Sequence, residues 1–184
     1  MDILNRNYNK DNSKCLFTSM IPTNIYGKYD NFSLDNAHVI PGLIHKAYNS
    51  AEEAKSKNSD EAFLDVCGSG RSLRQFIYAL DLARLTLWML RSYNDEQPII
   101  MSPDEEDEVS IAQVAEKICE SFNAIYNIKM RVRFLPNESE GQYKKTASNK
   151  KLRNLNHNLR FTPLDEGIKE VVQWFCSSYP NIRK

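Results

Sequence analysis

The sequence predicts an α/β fold, on three observations. Short apolar runs rich in β-forming residues and bounded by Pro, Asn or Gly, at residues 15–21 and 63–66, read as strands. Longer stretches between them repeat their apolar residues every three or four positions, the spacing of one helix face. The run at 15–21 stops at Pro22, passes a polar loop and leads into residues 37–44, which is the strand, loop, helix order of an open α/β sheet. In such sheets ligands sit beyond the carboxyl ends of the strands, where diverging loops leave a crevice, so a site is expected around residues 22–43.

Each element has its own justification. Residues 2–8 are polar with Ile3 and Leu4 at one side, and residues 7–13 are turn-rich, so a helix end followed by a loop is expected. Residues 15–21 form a buried strand. From Pro41 the pattern Leu43, Ile44, Ala47 fits an amphipathic helix, with Pro41 in the first turn where its missing N–H costs nothing. Residues 49–60, rich in Ala, Glu, Lys and Ser, read as a solvated, mobile insertion. Residues 63–66 and 74–78 are short strands. A helix over 81–91, capped by Asp81 or its neighbour, aligns Leu82, Leu85, Trp88 and Met89. Residues 98–101 form another strand, followed by an acidic loop at 103–108. A helix then starts at Val109 and runs to about Ile125, with acids at its amino end where the dipole favours them. Residues 130–135 alternate with period two and put Arg131 and Arg133 on one face. Residues 148–155 form a short capped helix. Thr162 caps the last helix, Pro163 takes its first turn, and Ile168, Val171, Val172, Phe175 and Trp174 make its buried stripe.

Bulk properties exclude several function classes. At 184 residues the chain suits one domain or a little more, and 24 Lys plus Arg balance 24 Asp plus Glu. That neutrality provides no basic field for nucleic acid or an anionic membrane. No run approaches the roughly 18 apolar residues of a spanning helix, and the amino terminus lacks the apolar core of a secretory signal, so the expected location is the cytoplasm. Cys15, Cys67, Cys119 and Cys176 are isolated, which suits buried thiols better than disulfides or a metal site. Gly68-Ser69-Gly70 is the sole Gly-x-Gly. A dinucleotide-binding loop needs a third glycine and an immediate helix, whereas Leu73 and a strand-like segment follow, so a turn is expected instead.

Several ordered blocks carry a resemblance. Pro22-Thr23-Asn24-Ile25-Tyr26-Gly27, Tyr29-Asp30-Asn31-Phe32, His38-Val39-Ile40-Pro41-Gly42-Leu43-Ile44, Arg74-Gln75-Phe76-Ile77-Tyr78, Glu105-Glu106-Asp107-Glu108-Val109-Ser110-Ile111 and Gly141-Gln142-Tyr143-Lys144-Lys145-Thr146-Ala147-Ser148-Asn149 resemble the GDP-L-fucose synthase branch of the extended short-chain dehydrogenases. The resemblance covers nearly the whole chain but only the carboxyl-terminal half or so of such an enzyme. It implies the end of an NAD(P)-binding Rossmann domain over residues 1–35, then a small mixed α/β substrate-binding region over 36–184 with a possible return strand and helix. It further implies an NADP(H)-dependent double epimerisation and reduction of GDP-4-keto-6-deoxy-D-mannose. The full-length enzyme is expected to be a homodimer. The family's Tyr-x-x-x-Lys pair is absent, since none of the nine tyrosines has a Lys four positions on. The chain alone is therefore expected not to catalyse reduction.

The candidate residues follow from chemistry and resemblance together. Epimerisation beside a ketone needs a group that removes and returns a carbon-bound proton, and imidazole is poised for both roles near neutrality. The family's acid/base histidine matches His38, although in isolation a histidine at a helix start is more often bonded to backbone. His45 and His157 have no comparable context. By resemblance Pro22, Thr23, Asn24, Ile25 and His38 line the nicotinamide end of the cofactor; a proline-terminated strand and an Asn turn explain the first four residues equally well. Lys46 and Arg74 match substrate-contacting positions, where a diphosphate would take a point charge and a forked guanidinium. Cys67 stands where the family usually has Trp. Glu140 can accept two sugar hydroxyls and Lys145 can approach a phosphate or the ketone, with Arg131 a weaker candidate. No metal is expected. Two alternatives stay open: another nucleotide-sugar epimerase or reductase of the same superfamily, and a non-catalytic module that binds a GDP-sugar or a partner.

Overall fold

The computed structural model describes residues 2–11, 15–135 and 141–184. Its larger core forms where two amphipathic helices, α2 (Val39–Ser56) and α4 (Ile111–Tyr126), cover β3 (Glu61–Cys67) and β8 (Lys129–Leu135), and a third, α6 (Leu164–Ser178), packs against α4 and α2. These two strands pair in parallel register over their whole length, from Glu61 opposite Lys129 to Cys67 opposite Leu135. Ile44, Leu64, Ile118, Phe122 and Phe175 are fully buried between the layers. A parallel pair needs helical cover, and the helices supply it.

The remaining strands are short and set the site. β1 (Met20–Pro22) pairs in parallel with β6 (Ile99–Met101), and β2 (Asn24–Tyr26) in parallel with β5 (Phe76–Tyr78). β4 (Leu73–Arg74) lies between β7 (Val109–Ser110), antiparallel, and β9 (Lys144–Lys145), parallel. That register sets Arg74 opposite Lys145. Helix α3 (Ala79–Ser92) and the short α5 (Lys150–Leu155) close a second core around Ile77, Leu85, Ile99 and Leu152. The expected α/β class, with parallel strands and covering helices, is what forms.

Several local expectations are overturned. The amino-terminal helix α1 (Asp2–Asp11) extends past the expected end near Tyr8 as far as Asp11, and the Asn9 amide clamps Phe17 by donating to its carbonyl at 2.8 Å and accepting its N–H at 2.7 Å. Of residues 15–21 only Met20 and Ile21 join a strand, and Ile21 is 51% exposed, because β1 has a single partner strand. Residues 49–56 are helix, not a mobile insertion: Ala51 and Ala54 extend the buried stripe of Ala47 against β3, and the chain breaks only at 57–60. Helix α3 begins two residues before Asp81, whose buried carboxylate accepts the Thr162 N–H at 2.6 Å. Thr162 is not the cap of α6, which starts one residue later than expected, at Leu164, with Pro163 in the N-cap position. Helix α4 starts at Ile111 rather than Val109, because Ser110 closes a reciprocal capping box with Gln113. Two of the four thiols expected to be buried, Cys15 and Cys67, are exposed. The turn at Gly68-Ser69-Gly70 forms as expected, with both glycines at positive φ (77° and 71°).

Candidate functional site

Helix α2 opens at His38, whose backbone is extended (φ −66°, ψ 169°) and whose ring bonds to no amide of the helix it precedes. The imidazole is exposed at the helix mouth and available to a ligand. His45, two turns inside, differs. It is buried, with Nδ1 at 2.7 Å from the Phe32 carbonyl oxygen and its ring against Phe175, so it is a structural residue.

Two cavities meet at this helix mouth. The smaller, about 310 Å³, is lined by His38, Lys46, Cys67, Arg74 and Gly141. The larger, about 740 Å³, is lined by residues 21–30, by Arg74 and Lys145, and again by His38. His38, Val39 and Arg74 belong to both. Period-two alternation places Cys67: Val66 points into the core, so its neighbour points out, and the Lys46 ammonium lies 3.9 Å from the Cys67 sulfur. The Arg74 guanidinium folds back to donate from Nη1 to the Leu73 carbonyl at 2.7 Å, which restrains it on the lining of both cavities.

The wall at residues 22–25 is built from backbone bonds. The Thr23 N–H donates to the Met101 carbonyl at 3.1 Å, while its Oγ1 is buried and has no hydrogen-bond partner. Asn24 donates both its backbone N–H (3.3 Å) and its side-chain Nδ2 (2.8 Å) to the Gln75 carbonyl, so its amide group holds the fold. Ile25 is 40% exposed, an apolar face toward the cavity. Tyr26 also lines the larger cavity, and burial raises its phenol well above the ordinary value, so it keeps its proton and is no acid/base near neutrality.

The structure thus brings His38, Lys46, Cys67, Arg74, Lys145 and residues 22–25 to one crevice. Arg131 is not part of it: it sits across from Glu61 on the outer face of β8. Glu140 lies outside the described residues. Gln75 escaped the sequence reading, although a polar residue inside the strand-like run at 74–78 was its signal; it is fully buried and hydrogen-bonded to Asn24 and Ala147 of the site and to Pro103 outside it. An imidazole flanked by an ammonium and a guanidinium suits a ligand that carries a diphosphate and presents an acidic carbon. Among the described residues no three His, Cys, Asp or Glu side chains gather to hold a metal ion, and no helix is long and apolar enough to cross a membrane.

The sequence profile of the NAD dependent epimerase/dehydratase family matches residues 1–102, more than half of the chain. The chain belongs to this family. Within it, this epimerase/dehydratase chain is 48% identical over all of its 184 residues to GDP-L-fucose synthase of Dictyostelium discoideum, covering 54% of that protein. It is 40% identical, again over its whole length, to a probable GDP-L-fucose synthase of Drosophila melanogaster, covering 56% of it. Among solved structures, the NADP-bound crystal structure of a GDP-L-fucose synthetase from Naegleria fowleri superimposes with a TM-score of 0.88 at 43% identity, covering 100% of this chain and 53% of that one. The resemblance read from the ordered blocks is therefore borne out. The chain spans about half the length of the curated relatives it matches.

Proposed function

We propose that this chain supplies the substrate-binding half of a GDP-L-fucose synthase, which epimerises GDP-4-keto-6-deoxy-D-mannose at C3 and C5 and reduces it at C4 with NADPH. The observation that carries the reading is the position of His38 and Arg74 on the lining of both cavities, in a chain whose relatives bear that name. In this reading His38 is the general acid/base of epimerisation, exchanging protons at the carbons beside the ketone. Lys46 and Arg74 hold the diphosphate, Cys67 and Lys145 border the sugar, and Glu140 accepts its hydroxyls.

The cofactor's nicotinamide end belongs against residues 22–25 and His38. The unpartnered Thr23 hydroxyl and the exposed Ile25 face suit an amide-bearing flat ring, which supports the fit. When bound, NADPH supplies the hydride for the reduction. Residues 1–35 then belong to the nucleotide-binding domain and 36–184 to the substrate region, in a cytoplasmic homodimer.

Thermal shift with GDP-mannose, UDP-glucose and dTDP-glucose tests the reading. A ligand at 100 times its Kd stabilises by about 2.7 kcal/mol. That corresponds to a rise of roughly 5–10 °C, expected for the GDP-sugar and absent for the others. Equal shifts with all three, or none, refute it. One observation favours a second reading, recognition without turnover: no tyrosine of this chain is followed four positions later by Lys. NADPH oxidation with the keto sugar by the 184-residue chain would remove that second reading.

A further inference from the structure

Gln75 is fully buried between Arg74 of β4 and Phe76 of β5, both partly buried, and every polar group of its side chain is engaged. Its Oε1 accepts the Ala147 N–H at 2.7 Å; its Nε2 donates to the carbonyls of Pro103 and Asp104, both at 3.1 Å. Its own carbonyl accepts both donors of Asn24. Only one orientation of the amide satisfies this set, because the reverse would aim NH₂ at an N–H and oxygen at two carbonyls. The larger cavity is walled on one side by residues 22–25 and on another by Lys145, Thr146 and Ala147. Gln75 is bonded to both walls, and its chain neighbour Arg74 lines both cavities.

We infer that Gln75 is a positioning residue: its side-chain amide pins the Ala147 end of the Lys145–Ala147 wall relative to the Asn24 wall and, together with the pairing of β9 with β4, sets where Lys145 meets the sugar nucleotide. This rests on the proposed GDP-sugar site. The division of labour is specific. The Asn24 wall hangs on the backbone carbonyl, which no substitution removes, whereas the Ala147 end of the other wall hangs on the side chain, its Lys144–Lys145 end being held by the pairing of β9 with β4. Replacing the amide loosens the Ala147 end and leaves the Asn24 wall.

The test uses the 184-residue chain with Gln75→Leu, which keeps the volume but has no polar atoms, and Gln75→Glu, which, protonated because burial against two carbonyls disfavours its charge, keeps an acceptor for the Ala147 N–H and one donor for the carbonyls. Hydrogen exchange of the Ala147 amide and titration with GDP-mannose and with NADP⁺ are read in parallel. In Gln75→Leu the Ala147 amide is expected to exchange at least tenfold faster, and GDP-mannose affinity to fall about tenfold, with NADP⁺ affinity within twofold of the parent. Gln75→Glu restores Ala147 protection and most of the sugar-nucleotide affinity even where its melting point is lowered. Unchanged protection of Ala147 in Gln75→Leu overturns the inference, as does equal weakening toward both ligands or failure of Gln75→Glu to recover. If the parent chain binds no GDP-mannose, the functional reading fails, and the exchange comparison still decides whether Gln75 holds the wall. Should Gln75→Leu not fold, Gln75→Met carries the same comparison.

Discussion

His38 and Arg74 come from different elements, one at the mouth of α2 and the other on β4, yet both line both cavities of the crevice. A group at that junction can touch a sugar held in one cavity and a cofactor ring held in the other. Because the His38 ring caps nothing and is exposed, its removal should separate chemistry from stability. His38→Asn places a favoured N-cap residue and should leave unfolding free energy within about 0.5 kcal/mol or slightly raised. Deuterium incorporation at C3 and C5 of the keto sugar should fall at least about 100-fold. Loss of stability with unchanged exchange would make His38 structural.

Arg74 offers a fork where Lys46 offers a point charge. Arg74→Lys keeps the charge but loses the two-pronged geometry, so it should weaken GDP-mannose binding nearly as much as Arg74→Met does, about tenfold or 1.4 kcal/mol. Titration at two salt concentrations checks the assignment. Only the Met variant should also flatten the salt dependence, since only it removes a charge.

Where helix and strand are long, composition was enough to find them: β3, β8, α4 and α6 stand close to where the apolar periods put them. The candidate site residues that converge from distant positions, His38, Arg74 and Lys145, were legible because ordered blocks of sequence carried them, and Lys46 because it lies just past one, not because spacing could show that they meet. Errors arose where tertiary contacts overrule local composition. Residues 49–56 look solvated because Glu, Lys and Ser outnumber Ala, but β3 supplies the surface that buries both alanines. Asp81 looks like a cap because it begins an apolar period, but its carboxylate is claimed by a backbone N–H 81 residues away. Gln75 could not be read as a hub, since its three partners lie far from it in sequence.

The buried alanines of α2 give a stability prediction that a solvated loop would not. Ala51 has no exposed surface. Ala51→Asp places a carboxylate against β3 without a partner and should cost roughly 3 kcal/mol or more in urea unfolding. Lys55→Asp, one turn on at an exposed position of the same helix, should cost well under half of that. Equal and small effects would return the segment to solvent.

Thiol labelling reads the cavity directly. Cys119 is buried, and burial pushes its thiol up to about 12, so it should react with an aromatic disulfide only as the protein unfolds. Cys15 and Cys67 should label within minutes. Saturating GDP-mannose should slow Cys67 several-fold and leave Cys15 unchanged, since only Cys67 lines the small cavity. Equal rates with and without ligand would exclude the sugar nucleotide from that cavity.

Asp104 ties the acidic segment to α5 and gives the fold an acid-sensitive joint. Its carboxylate accepts from Arg153 Nε at 2.8 Å and from Nη2 at 2.5 Å, and from Asn149 Nδ2 at 2.8 Å. The Arg153 bonds hold its carboxyl below the ordinary value against the opposing effect of burial, with Asn149 adding to the lowering. A carboxyl whose folded pKa lies below its unfolded one, near 3.9, stabilises fully above that pH and loses the contribution as pH falls through the lower folded value. The pair is partly exposed, so its worth is about 1 kcal/mol rather than that of a buried ion pair. Asp104→Asn should therefore lower stability by about that amount at pH 7, with the gap to the parent closing below about pH 4. Carboxylates common to both proteins, such as Asp65 against Arg133, cancel in the difference. Urea titrations of the two proteins from pH 7 down to about pH 3 measure the gap, and a gap that persists at the acid end would mean that shape, not charge, is what Asp104 contributes.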